Sequence, residues 1–247
     1  MENQPDNTAP ARGDEWFVPK FGPQKFRIFL GLLFLPYTGM VLSFALIGSL
    51  LAGHIFYDRI LAIIAIYFFG LGIAAHALDA LGGGGTKPWG TVFSKSHLWL
   101  MALTALLIAY GIAVYYMIRH VPLLLLIAVP EGFFVFAYNL EWFGGRFHTD
   151  RWFAFSWGTL PVLAGYVMQT NGISVPSILV AISMGFFSTI EIKASRPYKE
   201  FRRRRRDLSG DELALMRRYE TILKCVSLGV IVMGAGLLIW RAALSRY

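Results

Sequence analysis

The sequence predicts an all-α fold, a polytopic transmembrane helical bundle of about seven spans. Three observations predict it. Of 247 residues, 56% are hydrophobic and only 15% are charged, whereas a soluble domain carries about 25% charged residues. Mean hydropathy is +0.54. The apolar residues also fall in blocks of the length that crosses a bilayer, roughly 17 to 25 residues.

Taken in order, residues 1–25 are polar and carry Pro5, Pro10, Pro19 and Pro23, which is not the pattern of a cleavable signal peptide. They read as an N-terminal tail, disordered or interfacial, with Trp16 and Phe17 dipping into the membrane surface. Residues 26–247 read as the transmembrane domain. Its spans are expected at 28–52, 60–80, 98–118, 121–140, 152–169, 173–190 and 221–240. The first contains Pro36 and the fourth Pro130. Membrane helices tolerate proline because neighbouring groups re-satisfy the freed carbonyl. The single cysteine, Cys225, lies in the last block, so no disulfide forms within the chain and the redox compartment stays open.

The connections alternate. Residues 53–59, 119–120 and 170–172 make short links; 81–97, 141–151 and 191–220 make longer, polar ones. Of the 23 lysines and arginines, eighteen lie in the N-terminal segment and the three long connections. Four lie on the other side (Arg59, Arg119, Arg241 and Arg246), and Lys224 sits just inside the seventh span. Cytoplasmic loops are enriched in Lys and Arg. The expected placement is therefore integral to a plasma or inner membrane, with the N-terminus cytoplasmic and the C-terminus outside. The net charge of +8 thus belongs to membrane topology, and no nucleic-acid partner is expected. The run Arg202–Arg206 reads as a topology determinant that also attracts anionic lipid headgroups, at about 1 kcal/mol per basic residue. Lys224 does not make this a rhodopsin. It is near the interface, where a lysine snorkels, and the third span has no acid to serve as counter-ion.

Three polar clusters share the basic face. The stretch "HALDALGGGGTKP" supplies His76, Asp79, four glycines and Lys87; His76 and Asp79, three apart on a helix, project together. The stretch "YNLEWFGGRFHTDRW" supplies Glu141, Arg146, His148, Asp150 and Arg151, and "STIEIKASRPYKE" supplies Glu191, Lys193 and Arg196. Acids and bases above an apolar bundle suit a ligand with a charged head and a greasy tail. Each cluster also has a structural reading. Asp79 can accept a hydrogen bond at a helix end, His76 can be an interior histidine, and the glycines can be a turn. Glu131, at membrane depth, is a functional-site hypothesis by default, and its partner is not legible in sequence.

These clusters resemble the UbiA superfamily of intramembrane prenyltransferases over residues 25 to 200. "HALDALGGGGTKP" is similar to that family's first carboxylate motif and the loop after its second helix. "RFHTDRWFAFSWGTLPVLAGY" resembles the basic segment before a fifth helix that ends in Gly-Tyr. "TIEIKASRP" falls where a second acidic motif follows the sixth helix. The resemblance implies a UbiA-like bundle that transfers an isoprenoid from a prenyl diphosphate donor to an acceptor of unstated identity. It implies Asp79, Glu191 and His76 as catalytic residues, with Asp79 and Glu191 holding Mg2+. It implies Lys87, Arg146, Arg151, Lys193 and Arg196 as diphosphate ligands, with Trp157 or Tyr166 facing a cationic fragment. The first motif here has His76 and Asp79 where the family has two or three aspartates, and the second reduces to Glu191. The alternative is therefore a non-catalytic isoprenoid- or lipid-binding or assembly protein of the same fold. A transporter, with His76, Asp79 and Glu131 relaying protons, is the third reading. No cysteine–histidine cluster indicates zinc.

Overall fold

The structure, a computed structural model, describes residue 13 and residues 15–82 and 93–244. Helix accounts for 82% of it, and no strand occurs among the described residues. The helices are α1 (Gln24–Leu50), α2 (Tyr57–Gly82), α3 (Lys95–Arg119) and α4 (Pro122–Asn139), then α5 (residues 150–170), then α6 (Val175–Arg203) and α7 (Gly210–Leu244). All but α5 are long and apolar enough to cross a membrane, which gives six such helices and makes the chain an integral membrane protein.

The exception has a physical reason. The fifth expected span is helical, but Ser156, Gly158, Thr159, Pro161 and Gln169 dilute its apolar character. Neighbouring α1, α2, α4 and α6 enclose it, and most of its residues are buried. A helix that meets protein on nearly every side needs little lipid-facing apolar surface.

Close approach of backbones builds this centre. A Cβ on Gly165 would stand 1.9 Å from the Ala45 carbonyl oxygen, and one on Gly48 would stand 2.0 Å from that of Val162. Small residues let membrane helices approach this closely. Ser49 Oγ donates across the gap to the Gly165 carbonyl at 3.1 Å. The α6 side of α5 is similar: Gly158 and Gly185 face Ser188 and Thr159. α7 lies against α1 and α6, and α3 lies against α2.

Capping fixes the helix starts. Ser94 accepts from the His97 amide, and Thr149 accepts from that of Trp152. Ser174 and Ser177 form a reciprocal capping box, as do Ser209 and Glu212. Such caps satisfy amides that no helical carbonyl can reach. Inside α1 the backbone breaks at Phe34, whose φ is +48°. Pro36 follows, and a proline inside a helix removes one backbone donor. Thr38 Oγ1 donates to the Leu33 carbonyl at 2.6 Å and satisfies it.

Two arginines cap helix C-termini at the end of the bundle away from the arginine run. Arg59 donates to the carbonyls of Met168 and Gln169 at the end of α5. Arg241 donates to those of Ala52 and Gly53 beyond the end of α1. Both place positive charge where the helix dipole is negative.

Candidate functional site at the basic end

α2 and α5 each contain a stretch of π-helix, Phe68–Ala75 and Phe155–Thr159. Such wide turns are rare and recur at functional sites. Both point to one residue. The first stretch ends immediately before His76, and the second carries Trp157, whose ring centroid lies 5.4 Å from that of His76. On its other side His76 stacks on Phe34, also at 5.4 Å and with an interplanar angle of 24°.

These contacts belong to a longer row of rings. Phe17 packs on Phe34 at 5.0 Å. Trp157 stacks on Phe153, Phe153 meets Tyr138, and Tyr138 stacks on His148 at 4.5 Å. The row runs from the N-terminal segment to the α4–α5 connection and floors the basic end with aromatic faces.

The acids stand on this floor. Asp79, one turn beyond His76, is exposed. Glu191 on α6 is 1% exposed, and its Oε2 has no hydrogen-bond partner among the described residues. Tyr138 on α4 lies within electrostatic reach of Asp79 on α2 and of Glu191 and Arg196 on α6. Lys199 is the cation acting on Glu191, and its ammonium also lies over the Phe34 ring at 5.5 Å. Gly82 lets the end of α2 approach α4, because a Cβ there would stand 2.1 Å from the Asn139 carbonyl oxygen.

The expected phosphate ligands divide into groups. Lys193 and Arg196 both pair with Asp150, at 2.9 Å each, and Arg196 also donates to the His148 carbonyl. Arg146 and Arg151 are exposed. Lys87 and Gly83–Gly85 lie outside the described residues. The loop holding Arg146 has left-handed backbone at Glu141 and Phe143, with φ of +54° and +58°. Bulky residues rarely adopt that conformation, and it concentrates at functional sites.

Part of the basic end escapes sequence reasoning. Glu15 is fully buried, accepts from Tyr198 Oη at 2.7 Å, and lies 3.7 Å from Arg202 Nε. Residues read as a tail are thus packed onto α6 here, with Val18 also buried and Lys224 over the Trp16 ring. No hydropathy signal marks Glu15, since it follows Asp14 in a short stretch between Pro10 and Pro19 that is too brief to form a span. Arg203, Arg204 and Arg205 are exposed, and Arg204 pairs with Glu200 and Glu212.

Among the described residues, no three of His, Cys, Asp and Glu stand together as a metal site. The basic end thus carries two carboxylates, a row of aromatic rings and two exposed arginines. Comparison with protein-family models, curated proteins and solved structures finds no match for this chain, so its chemistry has to be read from this geometry.

Proposed function

We propose that the chain is a membrane-embedded, prenyltransferase-like protein whose basic end takes the diphosphate of an isoprenoid donor. The isoprenoid passes to a small or lipid acceptor. The observation that carries this reading is the buried Glu191 carboxylate, whose Oε2 has no hydrogen-bond partner among the described residues, on the same bundle end as the exposed Asp79. The row of rings beneath, with His76 between Phe34 and Trp157, presents π-faces suited to a cationic allylic fragment. Arg146 and Arg151 are exposed to receive phosphate oxygens.

The acids fit Mg2+ in one respect. Magnesium takes one or two protein carboxylates when substrate phosphates complete its shell, and the buried Oε2 of Glu191 lacks a hydrogen-bond partner among the described residues. Asp79 and Glu191 would hold the ion, which would offset charge on the leaving diphosphate. The bias of Lys and Arg to this end supports placing it, with the N-terminus, on the cytoplasmic side.

A second reading, a non-catalytic binder of isoprenoids or other lipids, is favoured by Asp150. It already pairs with Lys193 and Arg196, which leaves fewer cations for a diphosphate. One experiment separates the two. Purified protein is given farnesyl diphosphate, magnesium and a membrane-lipid extract, and both binding and diphosphate release are followed. The transfer reading expects release by the wild type, lost in Asp79→Asn and Glu191→Gln. Release at the wild-type rate by Asp79→Asn removes its catalytic role, and binding without release in the wild type favours the binder.

A further inference from the structure

A second site lies deeper in the bundle, where Tyr67 stands nine positions before His76 on α2, on the far side of the π-helical stretch. Here α2, α3 and α4 leave an apolar cavity that opens on one side. Ile63, Leu71, Leu106 and Ile127 are among its apolar walls, and Glu131 is its only charged wall residue. Gly70, Tyr110, Ala128 and Glu131 are half-buried while Ile63, Leu71 and Leu106 are buried, which marks the open side on the flank of the bundle, at mid-helix depth.

The polar groups in this space are partly committed. Tyr67 Oη donates to Glu131 Oε1 at 2.8 Å. Tyr110 Oη donates to the Ala128 carbonyl at 3.0 Å, and Gly132 makes room for that ring, since a Cβ would stand 2.1 Å from the hydroxyl. Glu131 Oε2 is buried with no hydrogen-bond partner among the described residues. Buried polar atoms nearly always have a partner, and an unpaired one is costly in an apolar setting.

We propose that this cavity binds an apolar molecule whose polar end is a single hydroxyl, which hydrogen-bonds Glu131 Oε2 while its chain lies along the apolar walls. The ligand enters from the bilayer through the flank of α2, α3 and α4. Tyr67 holds the carboxyl group in place from the opposite side. A hydroxyl suits the site because it can donate to Oε2, which has no partner among the described residues, and needs no further polar group beyond the tyrosine hydroxyls. A phosphate or carboxylate head would bring a charge into an apolar cavity that offers no cation to pair with it among the described residues. This site does not depend on the reading of the basic end.

The test uses the full chain in detergent micelles with three tritiated probes: farnesol, an alkylphenol of similar length, and the saturated hydrocarbon with the farnesol skeleton. The hydroxyl probes should bind about fivefold or more tightly than the hydrocarbon at equal micellar mole fraction, the worth of one net hydrogen bond. A preference between alcohol and phenol identifies the source of the hydroxyl. Glu131→Leu should erase the difference between hydroxyl and hydrocarbon. Gly70→Leu should abolish binding of all three, because its side chain enters the cavity where only Ala109 Cβ, at 3.9 Å, lies near a new Cβ. Equal affinity of the wild type for hydroxyl and hydrocarbon probes overturns the proposal, even if neither variant folds. A hydroxyl preference that survives in folded Glu131→Leu overturns it too, as does the absence of measurable binding.

Discussion

Replacing Gly165 by alanine tests the centre of the bundle. The added Cβ would stand 1.9 Å from the Ala45 carbonyl oxygen and 2.9 Å from the Ser49 amide nitrogen. Both are backbone atoms of α1, so no side-chain rotation relieves the clash. Reaching the 3.4 Å of an ordinary contact needs α1 and α5 to part by about 1.5 Å, the difference between those two distances. The Ser49–Gly165 hydrogen bond, now 3.1 Å, then opens beyond bonding range. Overpacking of this kind costs about 1–3 kcal/mol, and an interhelical hydrogen bond in a membrane protein adds about 0.6 kcal/mol. Together they predict a loss of about 2–4 kcal/mol, or a fall in Tm of about 5–15 °C for a chain of this size. The assay is thermal loss of far-UV ellipticity in detergent. Gly236→Ala is the control, because a Cβ there meets nothing within 4 Å. Wild-type melting of Gly165→Ala would refute the reasoning, since α1 and α5 could not then be in backbone contact.

Gly82→Ala should push the end of α2 from Asn139 and carry Asp79 from Tyr138. With 2.1 Å available, the shift is about 1.3 Å, enough to lower turnover or head-group affinity by on the order of 100-fold; unchanged affinity and rate would count against the shared site. Glu15→Ala should remove the acceptor of the Tyr198 hydroxyl and the ion-pair partner of Arg202, and destabilise the protein by about 3 kcal/mol. Limited proteolysis should then cut the N-terminal segment faster, whereas an unchanged rate would show that the segment is held by other contacts.

Length and composition made the helices legible, and the alternation of short and long connections grouped the polar residues at one end. The meeting of Gly82 with Asn139 was not legible, because an interhelical contact of this kind leaves no periodic signal. The commitment of Lys193 and Arg196 to Asp150 was hidden for the same reason: three residues in two segments meet only after α5 and α6 pack. The π-helical stretches beside His76 were invisible, since a one-residue change of register does not alter the apolar pattern. Glu131 stood out as an acid at membrane depth, but its partner Tyr67 lies 64 positions away. Burial of α5 lowered the hydropathy that marks the other helices, so the sequence alone did not set this span apart as the enclosed one.

That enclosed helix has a consequence for biogenesis. Its glycines, hydroxyls and Gln169 make it a poor solitary guest in lipid, and its walls come from segments made before and after it. It therefore enters the bilayer most readily as a hairpin with α6, joined by residues 171–174, and is received by an α1 already in place. Lengthening that short link would delay the handover and leave a half-inserted chain exposed to membrane proteases.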